Sequence, residues 1–320
     1  YSKQYQRLSN IFTKWMGLRK QLSNTTMKRL LFPLIATIAL PNSVNANIQI
    51  KDRLDTPHIN FISQRAIANV DLEFDEPSGL VFDVDKESLW TVSDDTSKLF
   101  NLDLKGDINR KKTINSPLDE SEGITLNKKR NLLVAVIESQ YPKVVTVELD
   151  SGKHKNYLLS EMKNFSLIKN FFKLQTLNKS HGLEAITFLP EEETYIVAKQ
   201  DFPAMLIKIN GELNKILSFR KIEKFSNYEN QLNSFDISGL DYDVLNKKIW
   251  ILSGLNREIY IYDWDSNTII NQYKIPYMNW AGGIAVNYDD NKFHIVTDVD
   301  NEEPMLFVHS YNPELIYQNK

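Results

Sequence analysis

Glu76-Pro77-Ser78-Gly79-Leu80-Val81-Phe82-Asp83-Val84 opens a unit that this chain writes five times. An acidic, small-residue start leads into an apolar strand, then a polar turn, then a second apolar strand with a polar end. The other copies begin at Ser121-Glu122-Gly123-Ile124, Leu183-Glu184-Ala185-Ile186, Asp236-Ile237-Ser238-Gly239-Leu240 and Ala281-Gly282-Gly283-Ile284. Short-strand repeats spaced by roughly 40–60 residues indicate a β-propeller.

Each repeat reads as four strands. In the first, Gly79–Val84 is innermost, followed by Ser88–Ser93, Lys98–Leu104 and Asp107–Ile114. Third strands recur at Lys143–Leu149, Met205–Ile209, Glu258–Asp263 and Met305–Ser310. Their period-two alternation argues strand. The turn after the third strand carries Gly106, Ser151-Gly152, Asn210-Gly211 or Ser266-Asn267, residues that tolerate the positive φ of tight hairpins. The fifth repeat runs out after three strands, near Tyr311, while a spare strand reads at Val70–Phe74. Pairing an N-terminal strand with the last blade closes the circle and leaves few raw edges. The expected fold is therefore all-β, a single propeller of five blades. Six blades is the alternative and needs a further repeat hidden in Ala46–Asn69, which has no acidic-Gly start.

The N-terminal stretch is different in kind. Residues 1–46 hold seven Lys/Arg and no Asp or Glu. From Met27 the text is Lys28-Arg29, the apolar run Leu30–Leu40, and Pro41-Asn42-Ser43-Val44-Asn45-Ala46. That order is a charged region, a short apolar region and a small-residue cleavage site, as in a signal peptide. Eleven apolar residues fall short of the ~20 of a membrane span. The expected organisation is a lead over 1–26, a signal peptide or N-terminal anchor over 27–46, a linker over 47–67 and the propeller over 68–320. Location is then periplasmic or otherwise extracytoplasmic, with inner-membrane attachment if the signal stays uncleaved. With no cysteine there is no disulfide, thiolate metal site or cysteine nucleophile.

Without residues 1–46 the chain keeps 31 of its 38 Lys/Arg against all 41 Asp/Glu, a net charge near −10. Such a domain is a poor nucleic-acid binder. It suits a metal cation or a cationic small molecule, and equally the solubility of a secreted domain.

Strand direction alternates within a blade, so starts of first strands and ends of second strands share one face. Glu76, Glu122, Glu184 and Asp236 stand at first-strand starts. Asp94, Asp95, Glu138, Asp201 and Asp298 stand at second-strand ends. The first four converge on the axis and repel unless protonated or neutralised by a cation. An oxygen-only set favours Ca2+ or Mg2+. The competing reading is that these acids cap strand ends. Two insertions, Glu161–Ser180 and Ile222–Ser234, are expected to rise on the same rim, as binding loops or as packing flaps. His181 and Lys199 are the candidates there for a general base or a phosphate contact. Trp90 and Trp250 fall at one place in their repeats and read as inter-blade core, whereas Trp280 sits where it can line the mouth. There is no Gly-rich phosphate loop and no Gly-x-Ser-x-Gly elbow.

Glu76–Leu80 through Val92-Ser93-Asp94-Asp95, Ser121–Ile124, Gly182–Ile186 with Ala198-Lys199-Gln200-Asp201-Phe202-Pro203, and Ser238-Gly239-Leu240 with Leu252-Ser253 resemble the SdiA-regulated (YjiK-like) family of bacterial envelope propellers. The resemblance covers roughly residues 68–312. It implies a propeller behind a signal or anchor and is similar, more distantly, to calcium-binding phytase-like and esterase-like propellers. Ala185 stands where the family has Gly, and Gly282 where it has Glu, which removes one carboxylate from the ring. Three functions follow as expectations. The first is a binding propeller with Ca2+ or a small ligand at its mouth. The second is a phosphoesterase in which Ca2+ held by Glu122, Glu184 and Asp236 activates water. The third is a lactonase-type hydrolase. Fold alone does not choose among them.

Overall fold

The computed structural model describes residues 56–318 except 75, 94–95, 119, 140, 173–181, 201–202, 223–235, 276–277, 279 and 298–302. The expected lead, the expected signal segment or anchor and residues 47–55 of the expected linker lie outside the described residues. No helix among those described is long and apolar enough to cross a membrane.

Twenty strands are present among the described residues. β1 (Ile59–Ala66) comes first. Blade one is β2 (Pro77–Asp83), β3 (Ser88–Ser93), β4 (Lys98–Asp103) and β5 (Ile114–Asn115). Blade two is β6 (Ser121–Asn127), β7 (Leu132–Ile137), β8 (Lys143–Glu148) and β9 (His154–Leu158). Blade three is β10 (Leu183–Leu189), β11 (Thr194–Lys199), β12 (Met205–Asn210) and β13 (Ile216–Lys221). Blade four is β14 (Gly239–Asp243), β15 (Lys248–Ser253), β16 (Glu258–Asp263) and β17 (Thr268–Lys274), and blade five begins with β18 (Ala281–Asn287), β19 (Lys292–Thr297) and β20 (Met305–Tyr311). Each of the five sheets has four antiparallel strands, and the fifth is completed by β1 beside β20. The five-bladed propeller closed by an N-terminal strand is the fold, and six blades are excluded by this strand order.

The closing strand is not the expected one. Val70–Leu72 forms a 3-10 turn. Asn69 closes it locally: its carbonyl accepts from Leu72 and Phe74 N–H, and its side chain accepts from Leu72 N–H at 3.2 Å. Side-chain-to-backbone bonds of this kind compete with sheet pairing. Closure falls to β1, inside the stretch expected to be linker, where Ile59 and Phe61 turn inward against blades four and five. The outer strand of blade one is also shorter than read. Asp107–Lys112 folds into turns around Asn109, and pairing resumes only at Ile114. Arg110, Lys111 and Lys112 offer that edge nothing to bury.

The core is divided into five wedges, one between each pair of neighbouring blades. Trp90 packs between blades one and two, and Trp250 between blades four and five. At ~1.5–3 kcal/mol per buried large apolar side chain, these wedges hold the ring together. The axis is tight. A cavity of only about 10 Å³, room for one water, runs between Gly79, Gly123, Ala185, Gly239 and Gly283. The inner strands touch backbone to backbone: a Cβ on Gly123 would lie 2.6 Å from Ala185 Cα. The small residue at the head of each repeat is the condition for closing a ring of five.

Candidate functional site

The same alternation that builds each blade carries the first-strand heads and second-strand ends to one mouth. Glu184 is the centre of what is described there. It occupies a bulge: β10 pairs Leu183 with Lys199 and Ala185 with Ala198, leaving Glu184 between the two pairs. The side chain is 7% exposed. Its Oε1 has no hydrogen-bond partner among the described residues. Its carboxyl is held well above the ordinary range, first by burial, then by the charges of Glu122, Glu138 and Asp236, with a hydrogen bond to Glu138 acting the same way. Burial and like charge of this kind favour the protonated form of a carboxyl.

The neighbours differ in how they are satisfied. Glu138 accepts the Gly182 N–H at 3.1 Å, tying the end of β7 to the head of blade three. Asp236 caps a loop, accepting from Ser253 Oγ at 2.5 Å and from Leu255 N–H at 3.0 Å. Both of its oxygens are thus used, and this acid follows the capping reading. Glu122 and Glu76 are half-buried, and each has an interaction of its own. Lys199, at the end of β11, is 1% exposed and also engaged. It lies within the protein and presents no ammonium to solvent for a phosphate. The described carboxyls whose charges act on Glu184 are Glu122, Glu138 and Asp236. Among the described residues no three Asp, Glu or His side chains stand together in a way that could hold a metal ion. Asp94, Asp95, Asp201, Asp298 and His181 lie outside the described residues.

The described part of the first insertion does not rise on the mouth. Lys163 N–H donates to Asn214 O and Lys163 O accepts from Ile216 N–H, both at 2.9 Å, and Asn164 Nδ2 donates to Ile216 O at 3.0 Å. Those partners belong to the β12–β13 turn, which is on the opposite face. Ile168 is buried between blades two and three, with Phe165, Phe171 and Phe172 packed on it. The segment is a packing flap, and its apolar spacing served the core. The second insertion lies almost wholly outside the described residues.

Sequence reasoning placed Trp280 at the mouth but missed the other apolar residues of that rim, Tyr141 and Leu255. Tyr141 and Leu255 follow the second-strand ends of blades two and four and are exposed. Trp280 precedes the head of blade five, is 64% exposed and has φ of 52°. A bulky residue in the left-handed region is uncommon. The missed signal was positional: large apolar residues in loops at the level of the acids.

A family model described as SdiA-regulated matches residues 57–273, about two thirds of the chain. No curated protein matches. Among solved structures the chain is similar to the β-propeller domain of Cps50 (Swd1) from Myceliophteria thermophila, at 10% identity and TM-score 0.47, over 79% of this chain and 100% of that one. It is similar to a streptogramin B lyase at 17% identity and TM-score 0.41, over 74% and 65%. It is also similar to a chain of a nidogen/laminin complex at 11% identity and TM-score 0.43, over 63% and 68%.

Proposed function

This chain belongs to the SdiA-regulated family, and from that starting point we propose that it is an extracytoplasmic binding propeller that takes up a cation at its acidic mouth. The cation is a divalent ion such as Ca2+ or a positively charged small molecule. The observation that carries the reading is Glu184, a buried carboxyl with one oxygen that has no hydrogen-bond partner among the described residues, pressed by three further carboxyls. Burying a carboxyl without pairing costs several kcal/mol, and an arriving cation would recover much of that. A Ca2+ site would have to draw further ligands from Asp94, Asp95, Asp201 or Asp298. The hydrolase readings are not favoured, because Lys199 is buried and engaged.

The test is calorimetric titration of chelator-stripped protein with Ca2+ and with tetramethylammonium, for wild type, Glu122→Gln and Glu184→Gln. Binding of either cation by wild type that is lost in Glu184→Gln supports the reading. Absence of binding by both, with an unchanged melting temperature, contradicts it and leaves the acids as caps.

A further inference from the structure

The mouth carries more than charge. Glu184 is flanked on both sides by loops that hold an acid and then an exposed apolar side chain. On one side Glu138 grips the Gly182 N–H, and three residues later in the same loop stands Tyr141, whose carbonyl accepts from Ser139 Oγ at 2.7 Å. On the other side Asp236 holds the Leu255 N–H. Gly254 beside it lies against Ala281: a Cβ there would be 2.7 Å from Ala281 O and 3.4 Å from Ala281 N. Trp280 is the residue before Ala281. Glu184 thus feels the charge of Asp236, Asp236 holds the Leu255 loop, and that loop lies against Ala281, the residue next to Trp280. Tyr141, Leu255 and Trp280 are three of the seven large apolar side chains exposed among the described residues, and all three stand on this face.

Resting on the reading of the mouth as a cation site, we propose that its ligand is a small organic cation: an ammonium group carrying an apolar arm. The ammonium meets the Glu184 Oε1 and the field of Glu122 and Glu138, while the arm lies on the rim at Trp280 and Leu255. The physical reasons are three. The Glu184 Oε1 is buried without a hydrogen-bond partner among the described residues, so a single positive charge brought against the carboxylate offsets its desolvation without having to donate a hydrogen bond. Carboxyls that do not converge into a metal cage still attract a larger, weakly hydrated cation whose charge is spread over several ångströms. An exposed indole is the best aromatic partner for such a cation. Exposed large apolar side chains gathered beside buried polar groups also mark ligand sites in general.

The test uses benzyltrimethylammonium, tetramethylammonium and Ca2+ as separate probes. The change in tryptophan fluorescence on adding each probe is the readout, assigned to Trp280 by its loss in Trp280→Ala, and calorimetry runs alongside. Benzyltrimethylammonium is expected to bind about tenfold tighter than tetramethylammonium. Trp280→Ala should remove that advantage and leave Ca2+ binding within about twofold of wild type, while Glu184→Gln weakens every cation about tenfold. Thermal melts of both variants confirm that they are folded. Equal affinity for the two ammonium ions, or no effect of Trp280→Ala, overturns this inference while Ca2+ or tetramethylammonium binding that depends on Glu184 leaves the cation site standing. No binding of any of the three overturns both.

Discussion

The two ends of the propeller are both acidic, and they treat their acids in opposite ways. At the end away from the mouth, Asp243 is 0% exposed and fully used. Oδ1 accepts from Leu245 N–H at 2.9 Å and Asn246 N–H at 3.0 Å, and Oδ2 accepts from Asn246 Nδ2 at 2.9 Å and from the Tyr317 hydroxyl. Asn127 and Asn287 do the same work in their own blades, accepting from Arg130 and Asp290 N–H. Asp241 reaches across blades and accepts Val286 N–H at 2.6 Å. At the mouth, Glu184 is nearly as deeply buried and keeps an oxygen without a hydrogen-bond partner among the described residues. Buried acids that accept backbone N–H groups are architecture. A buried acid left partly unsatisfied is a candidate for a functional site.

The largest expected effect lies at the satisfied end. Asp243→Ala strands two backbone N–H groups and the Tyr317 hydroxyl, and should lower unfolding free energy by about 3 kcal/mol in urea titration. A loss below ~1 kcal/mol would break the comparison, because Asp243 would then be no better used than Glu184.

Acid should loosen the same end next. Burial pushes His294 down to about 4 and His309 to about 3. The unfolded chain takes up protons near pH 6.5 while the fold still excludes them. Stability is therefore complete above about 6.5 and falls as pH drops from there toward 4, by about 3 kcal/mol for His294 alone. Urea midpoints measured between pH 7 and 4 check this, and His294→Gln should flatten the slope.

Smaller changes probe the mouth. Gly123→Ala places a Cβ 2.8 Å from Glu184 O and should cost about 2 kcal/mol. Trp280→Gly relieves a φ of 52° and should raise stability by about 0.5 kcal/mol. Gain of stability at a rim residue and loss at a capping residue is the pattern that a functional site predicts.

Much of this was legible in the sequence and some was not, for identifiable reasons. The blade count could be read because each head, such as Ser121-Glu122-Gly123-Ile124, must be small where inner strands touch, and that demand repeats with the blade. The closing strand could not, since Ile59–Ala66 lacks a head and is defined only by pairing with β20 at the far end of the chain. Its replacement in the reading, Val70–Phe74, has strand-like apolar residues but is captured by the Asn69 side chain. The acids of the mouth were visible from their spacing. Which of them are spent was not, because Ser253 and Leu255 reach Asp236 only through the path of the β15–β16 loop. Trp280 could be placed at the mouth from its position before the fifth head, whereas Tyr141 and Leu255 have no repeat to announce them.

The most direct test of the central claim is the unfolding free energy of Glu184→Gln minus that of wild type, followed from pH 4.5 to pH 8. Burial and neighbouring charge raise the Glu184 carboxyl in the fold, so the native state binds a proton that the unfolded chain has released. Wild-type stability contributed by that group is present below the ordinary carboxylate range and is lost as pH rises. The account predicts no difference near pH 4.5 and a variant more stable than wild type by about 1 kcal/mol or more at pH 8. A variant less stable than wild type at every pH would mean that Glu184 is a satisfied cap like Asp243, and the mouth would lose its claim to be a site.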